Sequence, residues 1–494
     1  MSESGSRKLP HSWLRVELAH VVQVHYGKAL AAKDREASGH LPVIGSSGVV
    51  GLHDQSLVEG PCVVVGRKGA AGAVHYVSKS CWPIDTAYSI QPPIGLSLKF
   101  LFYMLGSFNL VELDKSTAIP SLSRDDLHRV SIALPPAAEQ TRIVDKLEEL
   151  LSDLDAGVAE LKAAQKKLAQ YRQSLLKAAV EGRLTEAWRA QHGEPEESGA
   201  QLLARILRER RARWEARQLA TFEAQGKAPP NSWQDKYRKP VAPSTEGLPA
   251  LPCGWVWASL DMLGDIASGV AKGTKRDERI AVREVSYLRV ANVQRGYLDL
   301  SEVKAILANE RDIAELTLHN GDVLFNEGGD RDKLGRGWVW RNQVETCIHQ
   351  NHVFRMRPIL PELRPELISH HGNTFGKLWF QSAGKQTTNL ASINMGLLRE
   401  FPVPLAPAAE QTEILSQLGL QLTAVADQVA STELALRRST AQRKNILQAA
   451  FSGQLVPQDP NDEPASVLLA RIRAERAGRI GAATKRGRKA KALS

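Results

Sequence analysis

The stretch that decides the fold is Leu134-Pro135-Pro136-Ala137-Ala138-Glu139-Gln140-Thr141, which returns as Leu405-Ala406-Pro407-Ala408-Ala409-Glu410-Gln411-Thr412. The two copies stand 271 residues apart (405 − 134), and this offset holds without a gap to Gly182 and Gly453. Self-similarity at one fixed offset indicates two copies of one structural unit. The chain is therefore an internal duplication.

Each copy of this stretch is predicted to begin a long helix. Apolar residues recur at spacings of three, four or about seven from Ile143 to Ala179 and again from Ile414 to Ala450, which indicates a coiled-coil seam. Pro135-Pro136 favours a helix start, and Gly182 and Gly453 favour helix ends. Because a long helix with an apolar stripe needs a partner, we expect the two helices to pair antiparallel and to hold their β domains apart. The seam residues assigned to this pairing are Leu147, Leu154, Leu161, Leu418 and Val425. A generic coiled-coil spacer or dimer rod fits the same periodicity.

The segment before each helix reads as a mostly β domain. In the first, Cys62–Val65 is predicted as a buried strand, Arg67–Gly72 as a turn and Ala73–Val77 as the return strand. The openings repeat, since Leu9-Pro10-His11-Ser12-Trp13 matches Leu251-Pro252-Cys253-Gly254-Trp255. The rest of the two β domains hardly repeats. This contrast predicts an α+β protein in which a duplicated helical scaffold, with pseudo-two-fold symmetry, presents two different surfaces.

The segments after each helix complete the predicted organisation. Leu202–Ile206 matches Leu468–Ile472, so a third piece is duplicated as well, and its first copy continues as a basic helix. A stretch rich in Pro, Lys and Ser then reads as a linker, and the basic end of the chain as a disordered tail. The predicted segments are 1–133 (first β domain), 134–225 (first helical region), 226–250 (linker), 251–404 (second β domain), 405–478 (second helical region) and 479–494 (basic tail).

Composition narrows the class of protein. The chain has 494 residues, ordinary hydrophobic content (43%) and a formal net charge of +10, which favours a polyanionic partner such as nucleic acid. Its four cysteines show no paired spacing, so neither a disulfide framework nor a zinc module is indicated. We find no secretory signal and no apolar run long enough to span a bilayer. The sequence predicts a cytoplasmic protein without a membrane partner.

Catalytic and metal-binding patterns are absent from the sequence. Gly372–Leu378 falls one residue short of a phosphate-binding loop and has Leu in place of the metal-binding hydroxyl. Cys347, His349 and His352 do not share one face of a strand, so we interpret them as a polar cluster at the edge of a turn. The sequence predicts no catalytic residue and no metal ligand.

Polar and basic residues on predicted turns are the candidate DNA contacts. Arg can pair bidentately with guanine, and Asn or Gln with adenine. The alternative for any one of them is a solvated surface charge or a turn cap. The candidates are Ser46, Ser47, Arg67 and Lys68 in the first β domain, and Asn292, Arg295, Asn326, Arg331, Lys333, Arg336, Gln350 and Asn351 in the second.

Two unlike β domains on two repeated helices resemble the specificity (S) subunits of type I restriction–modification systems. The specific mark is the stretch 134–140 with its second copy, each heading a long helix that ends near Gly-x-Leu. The second copy departs only at Ala406, where the first has Pro135. Segments that resemble two classes of target recognition domain are 45–48, 66–69 and 85–88 in the first domain, and 321–326 and 349–352 in the second.

The resemblance implies a non-catalytic subunit that reads double-stranded DNA. Each β domain would be a target recognition domain for one half-site of an asymmetric, bipartite target. The helices would set the gap between the half-sites and dock two methyltransferase (M) subunits, with restriction (R) subunits joining to cleave. S-adenosylmethionine, ATP and Mg would be bound by those partners, and this chain would hold no cofactor. Residues assigned to partner docking or helix pairing, besides the seam, are Glu139, Gln140, Glu410 and Gln411.

Two other classes of protein stay open at this point. One is a fused restriction–methylation enzyme, although a chain filled by the duplication has no room for nuclease and methyltransferase modules. The other is a coiled-coil adaptor that binds proteins. A steep loss of DNA affinity with rising salt would argue against an adaptor.

Overall fold

The structure, a computed structural model, describes residues 9–35, 38–113, 120–271, 281–329, 333–383, 385–386 and 391–491. The chain divides into two units: unit 1 comprises Met1–Ala163 and Thr432–Ser494, and unit 2 comprises Ala164–Ser431. Both boundaries fall inside long helices. Each unit therefore contains one β region together with parts of both helices.

The first β region (14–134) belongs to unit 1. Its strands are β1 Leu14–Glu17, β2 His25–Tyr26, β3 Leu41–Gly45, β4 Gly48–His53, β5 Cys62–Gly66, β6 Val74–Val77, β7 Trp82–Pro83, β8 Ala87–Ile90 and β9 Ser131–Leu134. Its helices are α1 Leu18–Val21, α2 Leu98–Ser107 and α3 Arg124–His128, with 3-10 turns at Ala32–Asp34 and Leu110–Leu113. The strands form a four-stranded sheet β2-β8-β5-β6, a three-stranded sheet β4-β3-β7 and the pair β1-β9.

The apolar run of β5 explains why this strand lies in the interior of the region. Every residue of β5 is buried, as expected for a continuous apolar strand covered on both faces. β5 pairs antiparallel with β6 in the register Cys62↔Val77 to Val65↔Val74. The predicted buried strand and its return strand are thus confirmed. β3 turns into β4 at Gly45↔Gly48, where Gly48 has a φ of 106° that disfavours any side chain.

The first long helix, α4, spans Ala137–Val180. After it come α5 Glu186–His192, α6 Gly199–Ala224 and a 3-10 turn at Trp233–Lys236. Gly182 has a φ of 70°, and the backbone N–H groups of Arg183 and Leu184 donate to the carbonyl of Ala178. This closing turn ends the helix where the glycine predicted it.

The second β region (256–405) belongs to unit 2. Its strands are β10 Val256–Ser259, β11 Gly264–Ala267, β12 Val282–Leu288, β13 Val293–Gln294, β14 Tyr297–Leu298, β15 Lys304–Asn309, β16 Val323–Asn326, β17 Gly328–Gly329, β18 Cys347–His349, β19 Val353–Pro358, β20 Lys385–Gln386, β21 Ala391–Ser392 and β22 Pro402–Leu405. Its helices are α7 Leu260–Leu263, α8 Glu310–Leu316, α9 Pro365–Asn373, α10 Phe375–Ala383 and α11 Met395–Glu400. Two of its sheets are β11-β19-β16 and β15-β12-β18.

Two further helices complete the chain, α12 at Ala408–Phe451 and α13 at Ala465–Lys491. Gly453 has a φ of 75° and follows the end of α12, as predicted. α13 continues through most of 479–494, which we had expected to be a disordered tail. Within the described residues, no helix is long and apolar enough to cross a membrane.

The long helices pair antiparallel within each unit. In unit 1, Leu147 and Leu151 of α4 share a core with Ile446 and Ala450 of α12. In unit 2, Leu175, Leu176 and Ala179 of α4 share a core with Ile414, Leu418 and Val425 of α12. Two contacts show the antiparallel direction. Asp155 of α4 pairs with Arg443 of α12 in unit 1, and Tyr171, later in α4, pairs with Gln421, earlier in α12, in unit 2. Of the predicted seam, Leu147, Leu418 and Val425 are buried, and Leu154 and Leu161 are half-buried.

The third repeated piece joins the β region of the other copy. α13 follows the second long helix, yet Leu468 and Ile472 lie in the core of the first β region. α6 follows the first long helix, yet Leu202 and Ile206 lie in the core of the second β region. Each unit is therefore built from both copies of the repeat.

The expected linker, 226–250, packs against other segments of unit 2. Trp233 stacks on Trp214 of α6 with ring centroids 5.7 Å apart. The Val241 N–H donates to Asp261 Oδ2 at 3.0 Å. These contacts give the stretch a fixed path, which its Pro-rich composition did not predict.

Candidate nucleic-acid interface

Two turns of the first β region meet at one surface of unit 1. One is the β3–β4 turn with Ser46 and Ser47, and the other is the loop after β5 with Arg67 and Lys68. A ring nitrogen of His75, on β6, lies 3.0 Å from the Ser46 carbonyl. Gly66 approaches the first turn so closely that a Cβ there would lie 3.2 Å from Ser46 Cβ. The four predicted residues of this region are thus brought together, and Ser47 and Lys68 are exposed.

Arg67 stands at the centre of this surface with fixed geometry. Its guanidinium Nη1 donates to the Asp85 carbonyl at 2.9 Å, and its Cζ lies 5.1 Å from the centre of the Tyr26 ring. Arg124, at the start of α3, lies 5.1 Å from the same ring. Tyr26 is 49% exposed and meets Tyr88 edge-on at 5.2 Å. Burial raises the pKa of Tyr88, and the nearby Arg67 opposes that rise.

Tyr26 and Arg124 were missed by the sequence analysis. Neither lies near Arg67 in sequence, and neither stands in a motif of its own. Only the folded sheet brings β2, the loop after β5 and the start of α3 together. No local sequence signal could have found them.

In the second β region, Asn292 and Asn326 are not surface groups. Asn292 is 3% exposed and Asn326 is fully buried. The Asn292 amide donates to the carbonyls of Asp299 and Glu302 at 2.9 Å, and its Oδ1 accepts from the Arg289 N–H. The Asn326 amide donates to the Val293 carbonyl at 2.9 Å. Both side chains hold turns together, so we withdraw them as DNA contacts.

The basic candidates of this region are partly buried. Arg295 Nη1 donates to the Asn373 carbonyl at 3.0 Å, and Arg336 Nη2 to the Val290 carbonyl at 3.2 Å. Lys333 is half-buried, and Arg331 lies outside the described residues. Arg295 and Arg336 therefore support backbone segments of their own unit as well as carrying charge.

The turn between β18 and β19 carries three neighbouring polar side chains, of which His352 is exposed. Gln350 and Asn351 are half-buried. Asn351 Nδ2 lies 3.4 Å from His352 Nε2, and His352 Nδ1 lies 2.6 Å from Glu327 Oε2. Beneath them His349 Nδ1 donates to the Val353 carbonyl, and burial lowers the pKa of His349 to about 4, so its ring is neutral near pH 7. Of the polar cluster predicted here, only His352 lies at the turn, because Cys347 and His349 are buried in β18. No group of His, Cys, Asp or Glu that could hold a metal ion occurs among the described residues.

The repeated Glu-Gln pair forms an internal contact at the start of each long helix. Glu139 Oε2 accepts from Trp13 Nε1 at 2.8 Å, and Glu410 Oε2 accepts from Trp255 Nε1 at the same distance. The glutamines also match. Gln140 Oε1 accepts from the Ser97 N–H at 2.8 Å, and Gln411 Oε1 from the Arg364 N–H at 3.1 Å.

Both glutamines also brace the chain just before their helix. Gln140 Nε2 donates to the Pro135 carbonyl at 3.1 Å, and Gln411 Nε2 to the Ala406 carbonyl at 2.8 Å. All four side chains are buried. We therefore correct their assignment: they attach each β region to its helix and present nothing to a partner subunit. The repeated Trp in both domain openings was the signal for the indole donors.

Comparison with known proteins shows which proteins this chain is similar to. The frame, meaning the two long helices α4 and α12 together with the contacts that attach each β region to them, can be set beside these relatives. Residues 10–163 match the family model described as "Type I restriction modification DNA specificity domain". The chain is 26% identical over 487 residues to the EcoDI specificity subunit of Escherichia coli, covering 96% of this chain and 97% of that protein. It is 23% identical over 511 residues to the E. coli EcoBI specificity subunit, covering 97% and 95%. The resemblance drawn from the sequence is confirmed.

Solved structures agree on the fold. A chain from a study of complex assembly and conformational transition in the type I R-M system matches with a TM-score of 0.59 and 17% identity, covering 91% of this chain and 100% of that one. The HsdS subunit from Thermoanaerobacter tengcongensis matches with a TM-score of 0.50 and 17% identity, covering 92% and 100%. The α+β fold predicted from the sequence is thus confirmed.

Proposed function

We propose that this chain is a specificity subunit of a type I restriction–modification system, like the proteins that it resembles, and that it reads an asymmetric bipartite DNA sequence. Each β region reads one half-site, and the paired helices set the unread gap between the half-sites. The chain itself performs no catalysis. S-adenosylmethionine, ATP and Mg are bound by its partner subunits.

The observation that carries this proposal is the contrast between frame and surface. Both β regions are attached to their helices by the same buried contacts, from Trp to Glu and from a backbone N–H to Gln. The turns at the surfaces of the two regions are unrelated in sequence. The strand orders of the sheets that carry these turns also differ. A duplicated frame that carries two unlike surfaces fits two unlike half-sites.

The charge of unit 1 supports nucleic acid as the ligand. Arg67 and Arg124 lie against the same Tyr26 ring and are half-buried, and the neighbouring Lys68 is exposed. None of the three forms an ion pair with a carboxylate among the residues that the structure describes. Many arginines elsewhere in the chain do, including Arg142 with Asp462 and Arg210 with Asp261. Uncompensated guanidinium groups on a surface favour phosphate oxygens and base edges.

The duplication also supports the number of partners. Two equivalent helical frames offer two equivalent docking surfaces, so we propose two methyltransferase subunits for each copy of this chain. Restriction subunits join that complex for cleavage. Mass measurement of the purified complex gives the stoichiometry directly.

Methylation mapping tests the function. DNA is sequenced for modified bases from cells that express this chain with its methyltransferase, and from matched cells that express the methyltransferase alone. We expect a split motif with a fixed unread spacer that depends on this chain. Identical maps would contradict the proposal and favour a protein-binding adaptor. DNA affinity that stays flat with rising salt would then establish the adaptor class.

A further inference from the structure

Arg67 is held in one orientation before any DNA arrives. Its backbone N–H donates to the Thr86 carbonyl at 2.8 Å, and its carbonyl accepts from the Leu122 N–H at 2.8 Å. Its side chain is held by the Asp85 carbonyl and the Tyr26 ring. A guanidinium positioned on both sides loses little further freedom when it binds a base.

The hydrogen bond to Asp85 engages Nη1 of the guanidinium, and the Tyr88 hydroxyl lies beside the same group. Among the described residues, no carbonyl or carboxylate accepts from Nε or Nη2, so this edge can supply a pair of parallel donors. Two parallel N–H groups match the O6 and N7 acceptors of guanine in the major groove. The fit to the other bases is poorer; adenine, for example, places an amino donor where guanine has the O6 acceptor.

Tyr26 supports the position of the Arg67 guanidinium through its ring. Its ring contacts the guanidinium groups of Arg67 and Arg124, both at 5.1 Å from the centroid. The Tyr26 ring is itself braced by Tyr88, whose hydroxyl donates to the Leu122 carbonyl at 3.0 Å. One aromatic ring therefore holds two cations by cation–π contacts.

We propose that Arg67 reads a guanine in the half-site of the first β region and that Tyr26 is the positioning residue for that contact. Arg124 contributes charge toward the DNA backbone. This inference rests on the proposed DNA-reading function and adds the identity of one base and of the residues that select it.

The test uses the complete complex with its methyltransferase subunits and a DNA library randomised over both half-sites. The wild-type complex should show one strongly preferred G·C pair in one half-site that disappears in R67A, a loss of at least about tenfold in preference. R67K keeps the positive charge without the parallel donors and should lose the same preference. Preferences at all other positions, including the whole second half-site, should stay unchanged.

Three companion variants separate the roles. Y26F keeps the ring and should keep the guanine preference, whereas Y26A should reduce it toward the level of R67A. R124A should weaken methylation of all sequences alike and lower the salt dependence of binding. Full preference in Y26A would overturn the positioning role.

Two results would overturn the assignment of Arg67. One is an unchanged preference at every position in both R67A and R67K. The other is a uniform loss across all sequences, which would make Arg67 a phosphate contact. A wild-type complex without any split motif would instead refute the proposed function, so the two failures are distinguishable.

Discussion

At the start of each long helix a buried glutamate accepts a hydrogen bond from a tryptophan, but the other donors to that glutamate differ between the two units. In unit 1, buried Glu139 accepts from Trp13 and from Gln458 Nε2, both neutral groups. In unit 2, buried Glu410 accepts from Trp255, from Thr185 Oγ1 at 2.7 Å and from the guanidinium of Arg189. The duplication has kept the geometry of the indole contact and has changed how the buried charge is compensated.

This difference indicates which contacts are needed to attach a β region to its helix. A buried carboxylate needs donors, and either neutral amides or a cation can supply them. What attaches a β region to its helix in both copies is the pair of contacts that recur, Trp to Glu and backbone N–H to Gln. The surrounding charges differ between the two copies, as do the candidate DNA-contacting turns.

The largest expected effect comes from removing the charge of Glu410. In E410Q the Arg189 guanidinium stays largely buried without its carboxylate, so we expect a loss of about 3 kcal/mol in the free energy of unfolding of unit 2. Urea unfolding followed by tryptophan fluorescence measures it. The double variant E410Q/R189M should recover most of the loss. An E410Q protein as stable as wild type would show that the ion pair compensates nothing.

An intermediate effect is expected from the shared indole contact. W13F and W255F each remove one hydrogen bond to a buried carboxylate, which costs about 1.5–3 kcal/mol. Because both Nε1–Oε2 distances are 2.8 Å, the two losses should agree within about 1 kcal/mol. Parallel urea titrations compare them. A large cost in one copy and none in the other would break the equivalence of the two frames.

The smallest effect is expected from Glu139. At neutral pH, E139Q should change the free energy of unfolding by less than about 1 kcal/mol. The new amide oxygen still accepts from Trp13, and Gln458 can turn its own amide so that its oxygen accepts from the new NH2 group. Burial raises the pKa of Glu139, opposed by the hydrogen bonds from Trp13 and Gln458. Its protonation therefore stabilises unit 1 below the ordinary carboxyl pKa, and this contribution is lost as the pH rises through the raised pKa.

The pH dependence supplies the control for that prediction. Between about pH 7 and pH 4 the stability of the wild type should improve relative to E139Q. Other carboxylates titrate alike in both proteins, so the difference between them isolates Glu139. A difference that moves in the opposite direction would show that the charged form of Glu139 is favoured in the fold.

The repeat made the frame predictable from sequence. The fixed offset gave both helices, and Gly182 and Gly453 gave their ends, because a residue with φ > 0 closes a helix in either copy. The linker path was not predictable, since it depends on Trp214 stacking with Trp233 after the chain has folded. The exchange of α6 and α13 between β regions likewise depends on contacts far apart in sequence.

The candidate DNA-contacting surface was only partly predictable. Ser46, Ser47, Arg67 and Lys68 stand on glycine-flanked turns, and the structure brings these turns together. Asn292 was misassigned because an amide that caps a turn and an amide that reads adenine have the same sequence context. Its three hydrogen bonds to the backbone distinguish them only in the fold.

The most direct test of the account is to map the methylation motif of two matched double variants, one on each surface. R67A/K68A changes the first β region, and Q350A/N351A changes the second. The account predicts that each variant alters one half-site, that the two altered half-sites differ, and that the spacer length stays constant. Both variants altering the same half-site, or either altering both, would contradict the assignment of one β region to one half-site.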